Sequence, residues 1–428
     1  MRISRREWLS AAVAMPISAL TPQSPPPGGA DAWRQQFPAL NQEINGRLLA
    51  YLDNAATTQR PRTVIAALGR YDERDNANPS HDLHALARRS ADAMDAARAR
   101  VARFINAPAA DQVIFTRGTT EGINLVAATW GAARVRAGDD IVVTLAEHAS
   151  NLFPWQRLAR EAGARLIVVG VHADGRLNMT EMEDAISPRT RLVAVAHVSN
   201  VLGIVQPVAE ICALARRRGA VVLVDAAQSA PHVRLDVRRL GCDFLACSSH
   251  KMLGPMGVGV LWVRGERFDE MPHYHVGSNM AHGGEIASAT PEHGALRFQA
   301  GTPNVSGPVG LAAAIEMLDG IGFDAIRAHD ERLTAHALEG LRLLSRVRLI
   351  GTSGPAERIP VFSFTVDGLG AGDVVKAADA AGIAIRAGDL AAVPLLRRFG
   401  VENAVRMSCY LYNTTDEIDR LVSVLHSL

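Results

Sequence analysis

The 428-residue chain has few cysteines, few aromatic residues and almost no net charge. Its four cysteines include no Cys-x-x-Cys pair and no cysteine–histidine cluster with the spacing of a zinc site, which argues against a disulfide framework and a metal centre. A formal net charge of +1 gives no reason to expect a nucleic-acid partner. No segment has the long apolar run of a transmembrane helix. With 48% hydrophobic residues, the chain can build a large core and more than one domain.

The first 30 residues differ in composition from the rest of the chain. The segment "MRISRREWLSAAVAMPISAL" has basic residues followed by a short apolar stretch, which is the form of an export signal. Its "SRREWL" resembles the twin-arginine signal, with Arg5 and Arg6 as the pair, although a clear A-x-A cleavage site is missing. A Pro/Gly/Ser linker, "TPQSPPPGGA", follows. We therefore expect periplasmic export by the twin-arginine pathway, with no other membrane association; the alternative is an ordinary amphipathic start.

Beyond residue 48, short β-rich runs alternate with helical stretches such as "NLFPWQRLAREAG". The predicted strands are "DQVIFT", "DDIVVTL", "ARLIVVG", "RLVAVAHVS", "AVVLVDAAQ" and "CDFLACSS". Apolar strands separated by helices predict an α/β fold with a parallel or mostly parallel sheet covered on both faces. A long amphipathic helix is predicted over residues 81–105, with one apolar face formed by Leu83, Leu86, Met94, Val101 and Phe104. From about residue 307 a helix leads into a smaller α+β region with "IPVFSFTV" and "VRMSCYLY" as strands.

Polar residues follow three of the predicted strands, at the sheet edge where ligands bind in such folds. After "QVIFT", a Gly-Thr-Thr turn opens a helix, so the hydroxyls of Thr119 and Thr120 and the nearby backbone amides could face an anion. On its own this turn could equally be an ordinary helix N-cap. Asp225 ends a buried strand and needs a cationic partner, which could be a structural ion pair. Lys251 follows the next strand along the chain.

An anion cradle, a buried carboxylate and a buried amine together match the needs of pyridoxal phosphate (PLP). Its phosphate takes amide and hydroxyl donors, its ring nitrogen takes an acidic partner, and its aldehyde forms a Schiff base with a lysine. A charged lysine is costly to bury. Condensation with the aldehyde replaces the free amine by an imine, so the sequence predicts PLP as the cofactor, attached to Lys251.

From about residue 49 to the C-terminus, the chain resembles the class V aminotransferase family of fold type I, and within it the cysteine desulfurase and selenocysteine lyase branch. The matching stretches are "YLDNAATTQRP", "VIFTRGTTEGINLVA", "HVSNVLGIVQPV", "VLVDAAQSAPH", "SSHKMLGPMGVGVLW" and "RFQAGTPN". The resemblance implies a PLP-dependent enzyme with a large domain and a smaller C-terminal α+β domain. The large domain, after the N-terminal segment, would occupy residues 31–306 and hold a mostly parallel, seven-stranded sheet. The small domain would occupy residues 307–428.

The resemblance also implies a role for each matching residue around the cofactor ring. Lys251 would form the Schiff base, Asp225 would pair with the pyridine nitrogen, and His148 would stack on the ring face. Asn200 and Gln228 would contact the ring side of the cofactor. Lys251, His148 and Asp225 are therefore the expected catalytic residues.

Further matching positions imply contacts with the phosphate and the substrate. The residues implied to hold the phosphate are Thr119, Thr120, Ser248 and His250. Thr302, in "GTPN", would reach the phosphate of a neighbouring subunit, which implies a homodimer with shared active sites. Arg386 and Arg406 would bind the carboxylate of an amino-acid substrate, a task suited to the two-pronged guanidinium group. For Arg406 a surface arginine without this role is the alternative.

The family pattern breaks at one loop. In desulfurases a mobile loop carries the cysteine that attacks the substrate sulfur, and the corresponding stretch here is "AIRAGDLAAVPLL", with Ala391 at the cysteine position. Cys409 is the nearest cysteine in sequence, but we expect it in a strand as a small buried side chain. Ala149 and Gln299 also depart from the branch, as does "HVGSNM". We therefore expect the cofactor chemistry of the family without persulfide formation on this loop.

Three functions remain open from the sequence. The first is a lyase of the cysteine desulfurase or selenocysteine lyase type, in which sulfur or selenium leaves by β-elimination from an amino acid or from an amino-acid side chain of an exported compound. The second is an aminotransferase or epimerase that modifies an amino-acid moiety of a secreted natural product. The third is a non-catalytic binding protein with a cofactor fold, against which the intact pair of Lys251 and Asp225 argues.

Overall fold

The structure is a computed structural model that describes residues 29–285, 288–351, 354 and 357–428. The predicted export signal, apart from the last two residues of its linker, lies outside the described residues. No helix within these ranges is both long and apolar enough to span a bilayer.

Strands and helices alternate through most of the described chain. The strands are β1 (Glu43–Ile44), β2 (Arg47–Leu48), β3 (Ala50–Tyr51), β4 (Val113–Thr116), β5 (Asp140–Thr144), β6 (Arg165–Val169), β7 (Thr190–Ala196), β8 (Val221–Asp225), β9 (Phe244–Ser248), β10 (Gly259–Val263), β11 (Ala281–Glu285), β12 (Ser288–Pro291), β13 (Val347–Leu349), β14 (Val361–Val366), β15 (Ile383–Ala384), β16 (Arg386–Gly388) and β17 (Ala404–Ser408). The helices are α1 (Ala30–Arg34), α2 (Arg62–Arg74), α3 (Ala85–Phe104), α4 (Thr119–Val126), α5 (Ala132–Arg134), α6 (Phe153–Ala162), α7 (Met179–Ala185), α8 (Val208–Arg217), α9 (Val237–Leu240), α10 (Ser306–Ile321), α11 (Phe323–Arg342), α12 (Ala371–Ala380), α13 (Val393–Arg398) and α14 (Thr415–Ser427).

The largest sheet has seven strands in the order β4-β10-β9-β8-β7-β5-β6, and only β10 runs against the others. Successive side chains of a strand enter different cores: Val142 belongs to one buried cluster, whereas Ile141 and Val143 belong to another. The sheet is therefore covered on both faces, which confirms the predicted mostly parallel α/β arrangement. β10, which begins at the end of the glycine-rich run Gly254 to Gly259, was not among the predicted strands.

A second sheet, in the order β13-β14-β17-β16, forms the core of the C-terminal region with α11, α12 and α14. The segment near residue 50 joins this region, since β3 pairs in parallel with β15 and Asp53 forms a bridge with Ser408. Ala50 and Leu52 are fully buried in the same core. The N-terminal segment is therefore anchored to the C-terminal domain, 333 residues further along the chain.

Three boundaries differ from the predicted ones. The long helix begins at Ala85, because the side chain of His84 caps it by accepting the backbone N–H of Ala87, and Leu83 lies outside it with 60% of its surface exposed. The next helix, predicted over the stretch "GINLVAATWGAARV", starts three residues earlier, at Thr119, and is followed by a π-helical turn. The last strand ends at Ser408, so Cys409 follows the strand rather than lying in it; its burial is as expected.

Candidate active site

A cavity of about 470 Å³ opens at the carboxyl ends of the central strands. Most of the predicted site residues line it, namely Thr119, Thr120, His148, Asn200, Asp225, Gln228, Ser248, His250, Lys251, Arg386 and Arg406. They come from seven separate stretches of the chain. Five of these stretches meet because the carboxyl ends of the parallel strands share one edge of the large sheet, whereas Arg386 and Arg406 come from β16 and β17 of the second sheet. Thr302 does not line this cavity and is exposed on the surface of the single chain.

Lys251 and Asp225 both line the cavity. Burial, together with the charges of Arg406 and Arg386, lowers the pKa of Lys251 to about 8, and Asp225 opposes that shift. A lowered pKa leaves a larger share of the amine uncharged and nucleophilic near neutral pH. Burial also raises the pKa of Asp225, whose Oδ1 accepts the backbone N–H of Ala227 at 2.8 Å. The pair therefore offers a reactive amine and a carboxylate that is stabilised by a cation.

His148, which lies in the loop after β5, lines the cavity. Its Nδ1 accepts the backbone N–H of Ser150 at 3.1 Å, so the proton of the neutral ring is on Nε2. Burial and the nearby charges of Lys251 and Arg406 lower its pKa to about 4. The imidazole is therefore neutral at physiological pH and can stack on an aromatic ring without adding a fourth positive charge.

The start of α4 and the end of β9 form a cluster of hydroxyl groups. Ser248 Oγ lies 2.8 Å from the backbone nitrogen of Thr119 and 2.7 Å from its Oγ1, and Thr120 Oγ1 lies 2.8 Å from Ser150 Oγ. The backbone is unusually close here, since a Cβ added at Gly259 would stand 2.4 Å from Gly118 Cα. Hydroxyls and amides at a helix N-terminus suit a phosphate group.

Asn200 and Gln228 also line the cavity. The amide nitrogen of Asn200 donates to Leu390 O at 2.8 Å, and its Oδ1 is buried without a hydrogen-bond partner among the described residues. Gln228 Nε2 donates to Ala55 O at 2.8 Å. A buried acceptor with no donor is costly, and a ring hydroxyl such as that of PLP would supply one. Together with Lys251 and Asp225, these residues fit PLP.

Asp53, which the sequence analysis did not single out, holds the two predicted carboxylate-binding arginines. Its Oδ2 lies 2.9 Å from Arg386 Nη2, and its Oδ1 lies 3.4 Å from Arg406 Nη2. Arg406 is 3% exposed, and this burial lowers its pKa. Its Nε has no hydrogen-bond partner in the part of the chain that the structure describes. The surface alternative for Arg406 is therefore wrong. The quoted motif "YLDNAATT" contains Asp53, but its partners lie more than 330 residues away.

Glu147 is a second residue that the sequence did not reveal. It is buried behind His148 and accepts hydrogen bonds from Thr144 Oγ1 at 2.6 Å, Asn151 Nδ2 at 2.6 Å and the backbone nitrogen of Ala196 at 3.0 Å. Burial raises its pKa to about 8. These bonds join the ends of β5 and β7, which are the strands that position His148 and Asn200.

Ala391 lies in the cavity wall within the loop after β16. Leu390 and Ala391 both have left-handed backbone conformations, with φ angles of +52° and +53°. Such residues cost about 1–2 kcal/mol each unless the surroundings hold them. Two hydrogen bonds do so here, from Asn200 Nδ2 to Leu390 O at 2.8 Å and from Ala149 N to Ala391 O at 2.7 Å. The loop that the family resemblance predicts to correspond to the desulfurase cysteine loop is thus held against the cavity.

Comparison with known proteins places this site in a family. The family description "Aminotransferase class-V" matches residues 50–421. A probable cysteine desulfurase of Halalkalibacterium halodurans is 43% identical over 392 residues, which cover 92% of this chain and 96% of that protein. The apo cysteine desulfurase of Thermococcus onnurineus superposes with a TM-score of 0.86 at 35% identity, covering 91% of this chain and 98% of that chain.

A third relative bears directly on the cofactor. The C-DES protein, whose structure has a glycine covalently linked to its PLP cofactor, superposes with a TM-score of 0.79 at 25% identity, covering 92% of this chain and 99% of that chain. PLP is therefore the cofactor that both the site and the relatives support. The chain belongs to the class V aminotransferase family and is a PLP-dependent, cysteine desulfurase-like enzyme.

Proposed function

We propose that the protein is a C–S or C–Se lyase that releases its leaving group by β-elimination, without a persulfide on its own loop. The observation that carries the proposal is the absence of a thiol from the cavity. Ala391 occupies the loop position, and the four cysteines Cys212, Cys242, Cys247 and Cys409 are all buried and do not line the cavity. Burial also raises the pKa of Cys409 well above the ordinary value, which keeps this thiol protonated.

The remaining side chains suffice for an elimination. Arg386 and Arg406 would bind the substrate carboxylate, and bound PLP would supply an electron sink for the charge that develops at Cα. The Cα proton would pass to the amine of Lys251, and the Cβ–S or Cβ–Se bond would break with its electron pair on the chalcogen. The unsaturated amino acid left behind hydrolyses to pyruvate and ammonia. No protein thiol takes part in this sequence of bond changes.

The linkage to Lys251 can be tested directly, because the chain has only two lysines, Lys251 and Lys376. Lys376 is exposed on α12 and provides a matched control. We expect borohydride to fix the cofactor covalently on the natural protein and on Lys376→Ala, but not on Lys251→Ala. Peptide mass spectrometry would locate the adduct. A reducible covalent cofactor that persists in Lys251→Ala would refute the assignment.

Sulfide release distinguishes the proposal from ordinary desulfuration. A misplaced or missing nucleophile costs about 100-fold or more in rate, so we expect release from L-cysteine with reductant to be at least ~100-fold slower than that of a cysteine desulfurase assayed beside it. An activated β-substituted amino acid or selenocysteine should still give pyruvate and ammonia. Family-typical sulfide release that yields alanine rather than pyruvate and ammonia, and that is insensitive to Cys409→Ser, would contradict the proposal. A product that keeps its β-substituent would indicate transamination or epimerisation.

The proposed homodimer with shared active sites can be tested through Thr302. This residue lies outside the cavity of its own chain and is exposed, as a residue that completes a partner's site would be. We expect sedimentation to give twice the 45.8 kDa chain mass. Thr302→Val should weaken PLP binding by about tenfold, the loss of about 1.4 kcal/mol expected for one hydrogen bond to a charged group. A monomer with undiminished PLP affinity would rule out a shared site.

Export by the twin-arginine pathway remains a proposal that rests on the sequence. A route that carries folded proteins would let the enzyme load PLP in the cytoplasm before export. We expect the double substitution Arg5→Lys and Arg6→Lys to leave cofactor-bound enzyme in the cytosol, as measured by fractionation and visible absorption. An unchanged periplasmic yield would contradict this route.

A further inference from the structure

The loop that lacks the cysteine places a carboxylate in the cavity. Asp389 lines the cavity together with Leu390 and Ala391, and its Oδ1 accepts the backbone N–H of Ala391 at 3.0 Å. The carboxylate is therefore held next to the residue where a desulfurase has its sulfur. It is also close enough to His148 to act on the charge of that imidazole.

The carboxylate of Asp389 is not paired with a cationic side chain of the described residues. Among the described residues, Asp389 forms no ion pair, whereas the arginines of the cavity are both paired with Asp53. The other carboxylate that lines the cavity is that of Asp225, which lies near Lys251 and would pair with the ring nitrogen of PLP. Asp389 is exposed at the opening, where it can meet a ligand. Its charge is thus available to the part of a substrate that points away from the arginines.

The loop around Asp389 is fixed in place. The carbonyl of Leu390 accepts from Asn200 Nδ2, and the carbonyl of Ala391 accepts from the backbone nitrogen of Ala149. Asn200 lines the cavity, and Ala149 lies between His148 and Ser150, which also line it. A charge held by two such anchors acts at a defined position, so it can discriminate between substrates rather than merely attract cations.

We propose that Asp389 is a specificity-determining residue that selects S- or Se-substituted cysteines whose leaving group carries a positive charge or a nitrogen donor. The inference rests on the proposed lyase function, in which the substrate carboxylate binds the arginines and the chalcogen faces the Ala391 position. A leaving group with an ammonium or a protonated heterocycle would pair with Asp389. A leaving group that ends in a carboxylate would meet a like charge, which costs binding energy.

Three S-substituted cysteines of similar size test the proposal on the PLP-loaded enzyme. They are S-(2-aminoethyl)-L-cysteine, which is cationic, S-propyl-L-cysteine, which is neutral, and S-carboxymethyl-L-cysteine, which is anionic. Dissociation constants follow from the change in visible absorption of the cofactor, and pyruvate formation gives kcat/KM. We expect the natural enzyme to bind the cationic compound about tenfold more tightly than the neutral one, and the neutral one about tenfold more tightly than the anionic one.

The variant Asp389→Asn removes the charge but keeps an oxygen for the backbone N–H of Ala391, so the loop conformation should persist. We expect its three dissociation constants to converge to within about threefold, while PLP content stays unchanged. Asp184→Asn, on the exposed face of α7, is the control for a general loss of negative charge and should keep the natural order.

The possible outcomes test the role of Asp389 separately from the lyase function on which the inference rests. A natural enzyme without the charge order, or an Asp389→Asn enzyme that keeps it, would overturn the role of Asp389. Pyruvate formation from any of the three compounds would support the lyase even then. Charge-ordered binding that depends on Asp389, with no pyruvate from any compound, would support the role of Asp389 and refute the lyase.

Discussion

The ion pairs of Asp53 with Arg386 and Arg406 are the interaction on which the rest of the site depends. Three cationic groups, two guanidiniums and the amine of Lys251, lie around one cavity, and Arg406 is almost completely buried. Without a nearby anion, these charges would repel one another and carry a desolvation cost. Asp53 neutralises the arginines, and Asp225 acts on the amine. The two guanidinium groups are thereby held in place at the cavity, as their proposed role in binding a substrate carboxylate requires.

The position of Asp53 explains why the N-terminal segment is attached to the C-terminal domain. The pairing of β3 with β15 and the bridge from Asp53 to Ser408 fix the carboxylate beside β16 and β17, the strands that carry the two arginines. The same segment continues to Thr58, whose backbone nitrogen and hydroxyl both donate to the carbonyl of His250. One stretch of chain therefore connects the two arginines predicted to bind the substrate with the turn that carries Lys251. Residues of the two sheets form one site because this segment bonds to the elements that carry both sets of residues.

Several elements and residues could be predicted from the sequence because their signals are local. Short apolar runs marked six strands of the large sheet, and Thr119, Asp225 and Lys251 stood out because they lie at or just after the ends of such runs. β10 was missed since glycines precede it, and the start of α3 was misplaced because only the side-chain cap at His84 fixes it. The loop with Ala391 could be recognised from its flanking residues, but its two left-handed residues and their anchors could not.

The sequence by itself determined the α/β class, the cofactor and the absence of a nucleophile at Ala391. These follow from residue types and their order along the chain, or from long matching motifs. Only the tertiary structure decided that Asp53 joins both arginines, that Glu147 links the strands that position His148, and that Asp389 lies at the cavity without an ion pair to any residue that the structure describes. The physical reason is that electrostatic interactions act through distances of a few ångströms in space. Partners separated by hundreds of residues become neighbours only when the sheets have formed.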